Sequence, residues 1–135
     1  MKLKNNDLKG LATFLVDEEL SGKSSRLRTR FVRLLEEEWN QINDFIDELL
    51  VKHAQKDKQN NPIKKDNQLQ IEDLESLNRE YNELMNEEFV IDEVESKREM
   101  LLEVRNILEN TKKEFSGKSA FEYDRWCEAF ENLKI

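Results

Sequence analysis

The sequence predicts a mainly α-helical protein, with about five helices around one long helix at residues 25–54 and at most a small two-stranded β element. Apolar residues recur at helical spacing along almost the whole chain. The 3 glycines and 1 proline are too few for a β-sandwich or β-barrel, which are rich in turns. A length of 135 residues with 37% hydrophobic residues suits a single helical domain, 1–135, with one modest core.

The first helix is predicted from an apolar stripe close to the start of the chain. Asn6 or Asp7 suits the N-cap position, because a short polar side chain there accepts a hydrogen bond from a free backbone N–H. Gly22 is expected to end the segment, since glycine tolerates the left-handed conformation that stops a helix. The stripe follows the positions i, i+3, i+4, i+7 and i+8 and consists of Leu8, Leu11, Ala12, Leu15 and Val16.

The second helix is predicted to be the spine of the fold. Ser24 and Ser25 both suit an N-cap, and the helical pattern continues to about Ala54. At about 1.5 Å per residue, an unbroken helix of this length is about 45 Å long. Its apolar stripe consists of Leu27, Phe31, Leu34, Leu35, Ile42, Phe45, Ile46 and Leu49.

The following residues, 55–70, are predicted to form an exposed loop or hairpin. They contain the only proline, Pro62, and few apolar side chains. A third helix is expected from about Asp73. The consecutive apolar residues 89–91 then break the helical period, which indicates an extended segment or a buried helix junction, and Leu69 or Ile71 is a candidate strand partner for it.

Two further helices complete the predicted order. The fourth covers about 94–110 and the fifth begins at about Ser119. The sequence Ser-Gly-Lys-Ser occurs twice, at 21–24 and 116–119, and each copy lies where one helix should end and the next begin. A phosphate-binding loop needs a glycine five residues upstream and a preceding strand, whereas Asp17 and Lys112 occupy those upstream positions. The repeat therefore indicates helix boundaries.

Cysteine and histidine each occur once, as Cys127 and His53, and this excludes several classes of protein. One thiol forms no internal disulfide, and the two side chains are too few for a Cys/His zinc site. The first residues lack the apolar run of a signal peptide, and no segment approaches the ~18 apolar residues of a membrane span. We therefore expect a cytoplasmic protein with no membrane association.

Nothing in the sequence indicates catalysis, a cofactor or a bound metal. His53 suits the C-terminal end of the long helix, where a positive charge is favourable. Cys127 shares a helical face with aromatic residues and suits a small core position. The carboxylates, although numerous, follow the spacing of a solvated helix face and not that of a converging cleft. We predict that the protein is not an enzyme.

Charge is distributed unevenly along the chain. Residues 23–33 carry five basic side chains and no acid, and residues 72–99 carry eleven acids against three basic side chains. The net charge of the second segment is therefore −8, the same as the formal net charge of the whole chain. The basic side chains form a candidate interaction patch: Lys23, Arg26, Arg28, Arg30 and Arg33. A candidate acidic surface comprises Glu80, Glu83, Glu87 and Glu88.

Two interpretations of the basic patch remain open at this point. It can form ion pairs with the acidic third or fourth helix or with the nearby acids Asp17, Glu18 and Glu19, which is common for exposed charged faces. It can instead bind phosphate, nucleic acid or an acidic partner. We favour ion pairing, because a net charge of −8 opposes binding to DNA.

Three stretches resemble a family of small, functionally uncharacterised proteins encoded by phages and prophages of low-GC Gram-positive bacteria. They are Ser21–Leu35 (SGKSSRLRTRFVRLL), Glu80–Ile91 (EYNELMNEEFVI) and Phe115–Leu133, and the similarity extends over nearly the whole chain. The family supplies no catalytic residues. The resemblance implies a phage product that acts in the infected cell or in the virion.

Three functions are compatible with these observations. The first is a non-enzymatic phage protein-interaction module, an assembly factor or virion accessory component, with a phage or host protein as its partner and self-association as a further possibility. The second is an acidic inhibitor of a host nucleic-acid enzyme or defence complex. The third, less favoured, is nucleic-acid binding through the arginine-rich helix and the basic loop that follows it.

Overall fold

The computed structural model describes all residues, 1–135, and consists of five α-helices and two small antiparallel sheets. This confirms the mainly helical fold, the five helices and the single long helix. The helices are α1 (Asn5–Asp17), α2 (Gly22–His53), α3 (Leu74–Asn86), α4 (Arg98–Asn110) and α5 (Lys118–Glu131). The strands are β1 (Lys2–Lys4), β2 (Lys64–Lys65), β3 (Gln68–Leu69) and β4 (Glu88–Val90), and one 3₁₀ turn, Glu95–Lys97, precedes α4.

Helix α2 has 32 residues and is therefore about 48 Å long. It packs against α1, α3 and α4. The expectation that Gly22 ends the first helix was wrong, because α1 already ends at Asp17 and Gly22 begins α2. Gly22 has a φ of +57°, so it reverses the chain into α2 in a conformation that a side chain would strain.

One continuous core lies between α2 and the shorter helices. Phe31 of α2 is fully buried and its ring centroid lies 5.7 Å from that of Phe130 of α5. Beside it, an aromatic cluster joins the N-terminal and C-terminal helices through Phe14, Phe115, Tyr123 and Trp126. Aromatic side chains bury the largest apolar area per residue, so these contacts explain how a chain with 39% charged residues supports a core.

The extended segment at 88–90 pairs with the N-terminal strand and not with the loop after α2. In this antiparallel pair Leu3 lies opposite Phe89 and Lys4 lies opposite Glu88. The expectation that Leu69 or Ile71 pairs with residues 89–91 was therefore wrong. Burial explains the choice, because Leu3 and Ile91 are both inserted into the core.

Residues 54–72 leave the helical body as an irregular hairpin. β2 and β3 are joined by Asp66 and Asn67, both with positive φ, the conformation of a two-residue type I′ turn. The chain closes at its base through the bridge between Ala54 and Ile71. Lys56 Nζ donates hydrogen bonds to three carbonyl oxygens at and just after the end of α2, those of Val51 at 2.6 Å, Ala54 at 2.9 Å and Lys52 at 3.4 Å, and so caps that helix.

Candidate protein-interaction site

The five members of the basic patch have different roles in the structure. The guanidinium of Arg28 donates hydrogen bonds to the carbonyl oxygens of Leu15, at 2.7 Å, and Glu18, at 2.8 Å. These carbonyls belong to the C-terminal end of α1, where helix carbonyls lack partners within the helix and a cation is favoured. Arg28 therefore joins α1 to α2, and its charge faces the protein.

Lys23 and the adjacent Ser24 contact the fourth helix. Lys23 Nζ lies 3.1 Å from a carboxylate oxygen of Glu99, and the Ser24 hydroxyl donates to Glu103 at 2.5 Å. Both partners of the Lys23 pair are largely exposed, so the pair contributes little to stability. Lys23 is the one member of the patch that forms an ion pair with the acidic fourth helix, and the expectation that the arginines pair with nearby acids is not met.

The remaining arginines, Arg26, Arg30 and Arg33, are exposed to solvent on one face of α2. None of them has a carboxylate within 4.0 Å. The five residues of the basic patch therefore fall into three groups. The Arg28 side chain is directed towards the protein, Lys23 is in an ion pair, and the other three arginines have no carboxylate partner. Only these three are available to an external partner.

The candidate acidic surface is divided in a similar way. Glu80 accepts a hydrogen bond from Lys52 at 2.7 Å, and its other carboxylate oxygen lies 2.6 Å from His53 Nε2. These two contacts from the end of α2 hold the pKa of Glu80 below its usual range. Glu88 lies 3.6 Å from Lys2 across the β1–β4 pair. Glu80 and Glu88 therefore have partners within the protein.

Glu83 and Glu87, by contrast, line an open groove between the C-terminal part of α2 and α3. They form no ion pair, and both are exposed. The groove has a volume of about 390 Å³. It is lined by Phe45, Glu48, Leu49, Lys52, Glu80, Glu83, Leu84 and Glu87, and we refer to it as the α2–α3 groove.

The apolar part of the α2–α3 groove is centred on Phe45. The sequence places Phe45 on the apolar stripe of the long helix, and burial was expected, but the side chain is 50% exposed. Leu84, on the facing helix, is nearly buried, and Leu49 is half-buried. Four carboxylates and one lysine surround these apolar groups, so the groove combines an exposed aromatic ring with a local excess of negative charge.

Sequence reasoning identified Glu80, Glu83 and Glu87 but missed Phe45 and Glu48. The periodicity of α2 marks Phe45 as inward-facing, and it does face the side on which α3 packs. Its exposure arises because no other helix covers that part of α2, which depends on the lengths and positions of the neighbouring helices. A local sequence pattern contains no signal for this.

His53 and Cys127 both serve local structure. His53 Nε2 lies beside the carboxylate of Glu80. Cys127 packs beside Tyr123 on α5, and the Tyr123 hydroxyl donates a hydrogen bond to the carbonyl of Leu108. Burial raises the pKa of the Cys127 thiol, which opposes formation of a nucleophilic thiolate. No group of three or more His, Cys, Asp or Glu side chains is arranged to hold a metal ion.

Comparison with protein-family models, with curated proteins and with solved structures finds no match to this chain. None of the helices combines the length and the apolar character that a membrane-spanning segment requires.

Proposed function

We propose that the protein is a non-enzymatic interaction module of phage origin that binds a protein partner through the α2–α3 groove. The observation that carries the proposal is the half-exposed ring of Phe45 in a concave site. Aromatic side chains in such positions supply much of the binding energy of protein interfaces, because a partner removes their whole apolar surface from water.

The charges around Phe45 support a protein partner of complementary sign. Glu48, Glu83 and Glu87 form no ion pair within the chain, so they are free to meet cations of a partner. Complementary charges at an interface increase the association rate and reject partners of the wrong sign. An apolar centre with a charged rim is the usual composition of such interfaces.

The resemblance to phage proteins supports a role in the infected cell, as an assembly factor or a virion accessory component. An alternative partner is a host nucleic-acid enzyme or defence complex, which the protein would inhibit. The free carboxylates of Glu83 and Glu87 favour this alternative, because they present negative charge where a nucleic-acid-binding surface expects phosphate.

A capture experiment with matched variants tests the groove. The purified protein is immobilised and exposed to lysate from phage-infected cells, with and without nuclease, and bound proteins are identified by mass spectrometry. Phe45→Ala removes the exposed ring from the groove. Phe121→Ala is the control, because Phe121 is 71% exposed and lies outside the groove.

Groove-dependent binding predicts that the same protein is captured by the wild type and by Phe121→Ala but lost with Phe45→Ala, whether or not nuclease is present. A phage structural protein among the captured proteins supports assembly, and a host nucleic-acid enzyme supports inhibition. Equal capture by all three proteins would refute the groove as the binding site.

The three free arginines of α2 favour a second function, binding to nucleic acid. Arg26, Arg30 and Arg33 lie within about two helical turns, a spacing that suits successive phosphates. If each neutralises one phosphate, the logarithm of the binding constant falls with the logarithm of salt concentration with a slope of about −3. Replacing all three with glutamine should abolish binding, and an absence of binding by the wild type at low salt would exclude this function.

A further inference from the structure

The solvent-facing side of α2 separates positive from negative charge along its length. The first half of this side carries the free arginines Arg26, Arg30 and Arg33, Glu37 lies at the midpoint, and the second half carries Asp44 and Glu48. At about 100° per residue these six positions fall within a sector of about 60°. All six are exposed, and none forms an ion pair within the chain.

This pattern is complementary to itself when a second α2 runs antiparallel. Arg26 and Arg30 are four residues apart, and so are Asp44 and Glu48. An antiparallel pair of helices centred on residue 37 therefore sets Arg26 opposite Glu48 of the second copy and Arg30 opposite Asp44 of the second copy. Two-fold symmetry repeats both contacts, which gives four ion pairs from one register.

We infer that this face of α2 is a self-association surface and that its occupant is a second copy of the same chain, bound antiparallel about a two-fold axis near Glu37. Such an arrangement closes as a dimer, because each copy uses the same surface. The surface lies beside the α2–α3 groove and shares only Glu48 with it. The inference therefore does not require the proposed protein partner.

The register also contains one unfavourable contact, which distinguishes it from a general effect of net charge. The two copies of Glu37 meet at the axis, where like charges repel. A general electrostatic effect of the net charge of −8 would make removal of any carboxylate favour association. The antiparallel register instead predicts opposite effects for Glu37 and Asp44, because Glu37 faces a carboxylate and Asp44 faces an arginine.

Sedimentation equilibrium of the full chain in about 0.1 M salt tests this, since the Debye length of about 10 Å screens remote charges more than close pairs. We expect a weak reversible dimer with a dissociation constant of about 1 mM, because four exposed ion pairs at up to about 1 kcal/mol each contribute at most about 4 kcal/mol. Asp44→Asn should raise this constant about fivefold, because the pair is lost twice. Glu37→Gln should lower it about twofold, because the substitution removes one like-charge contact at the axis.

Cross-linking then establishes the direction of the helices. In a Cys127→Ser background, Glu37→Cys should form a disulfide-linked dimer, because the two copies of residue 37 meet at the axis. Val51→Cys should not, since residue 51 lies 14 residues, or about 21 Å, from the axis in each copy, and the two cysteines lie on opposite sides of the axis, about 42 Å apart along the helices. A parallel pair would cross-link both variants.

A wild type that remains monomeric at 1 mM would overturn the inference. So would a shift in the same direction for Asp44→Asn and Glu37→Gln, or cross-linking of Val51→Cys. Circular dichroism of each variant confirms that the helices remain folded. Capture of a protein by the α2–α3 groove, measured separately with Phe45→Ala, reports on the proposed function, because Phe45 lies in the groove and outside the self-association surface.

Discussion

Substitution of Arg28 by lysine should destabilise the protein, whereas the same substitution at Arg30 should not. The two arginines lie two residues apart on α2, but only Arg28 donates hydrogen bonds into the protein. Lysine preserves the positive charge and most of the side-chain length. Its ammonium lies nearer the backbone than the terminal nitrogens of arginine and lacks the second of them, so it does not reproduce the contacts that Nη1 makes with both carbonyls and that Nη2 makes with Ser25.

The magnitude follows from the contacts that are lost. The carbonyl oxygens of Leu15 and Glu18 both accept from Nη1 of Arg28. Nη2 donates to Ser25 Oγ at 3.2 Å. A hydrogen bond to a charged group contributes about 1.5–3 kcal/mol. Lysine retains one carbonyl contact and Arg28 is partly exposed, so we expect a loss of about 1.5 kcal/mol.

Urea denaturation followed by circular dichroism at 222 nm measures this difference. At a typical slope of about 1.5 kcal/mol per molar urea, Arg28→Lys should lower the midpoint by about 1 M. Arg30→Lys is the control, and its midpoint should stay within about 0.3 M of the wild type, because exposed substitutions change stability by less than about 0.5 kcal/mol. Equal midpoints for both variants would refute the assignment of Arg28 to a structural role.

Three further predictions concern pH and the exposed groove. Burial raises the pKa of Tyr123 to about 12, so in a Tyr81→Phe variant the absorbance at 295 nm should titrate near pH 12 in the folded protein and near pH 10 after unfolding. The folded state holds this proton more tightly than the unfolded state. Tyr123 should therefore leave the free energy of unfolding unchanged below pH 10 and lower it between pH 10 and pH 12. Titration of the folded protein near pH 10 would contradict this. The hydrogen bonds from Lys52 and His53 lower the pKa of Glu80. Its contribution to the free energy of unfolding should therefore be present above about pH 4.5 and be lost as the pH falls further. In a plot of the free energy of unfolding against pH, Glu80→Gln should make the decrease at acidic pH less steep. Phe45→Ala should lower the urea midpoint by less than Phe31→Ala does, because the Phe45 ring is 50% exposed and Phe31 is buried. Phe31→Ala should lower the free energy of unfolding by about 3–5 kcal/mol. Equal shifts in the two variants would show that Phe45 belongs to the core.

The helical elements could be predicted from the sequence because each carries its own periodic signal. Asp73 was expected to start the third helix, and its carboxylate accepts from the backbone N–H of Ser76, as an N-cap does. The long helix was expected at 25–54 and extends over Gly22–His53. These features depend on neighbours within one or two turns, which a single sequence contains.

Contacts between distant parts of the chain could not be predicted in the same way. The pairing of Lys2–Lys4 with Glu88–Val90 joins segments more than 80 residues apart, and both are only three residues long. Three residues are too few for a period of two to be distinguished from chance. The separate roles of Arg28 and Arg30 also depend on tertiary structure, because only the placement of α1 gives Arg28 its carbonyl partners.

Helix length explains why the candidate site lies where it does. α1, α3 and α4 have 13 residues each and are about 20 Å long, whereas α2 is about 48 Å long. No single neighbour covers α2 from end to end. Towards the C-terminal end of α2, α3 covers the apolar side only in part, and Phe45 lies at the edge of this contact, where its ring is 50% exposed.

The continuation of the stripe is not required for α2 to be a helix. A polar residue in place of Phe45 would serve a solvent-exposed position at least as well, because exposed aromatic surface favours association. The sequence instead retains phenylalanine at a point where the fold provides no cover and where Glu48, Glu83 and Glu87 stand unpaired around it. An apolar side chain that adds little to the core, beside three unpaired carboxylates, fits the proposed partner, which would complete its burial, and the α2–α3 groove is therefore the surface on which the proposal is tested.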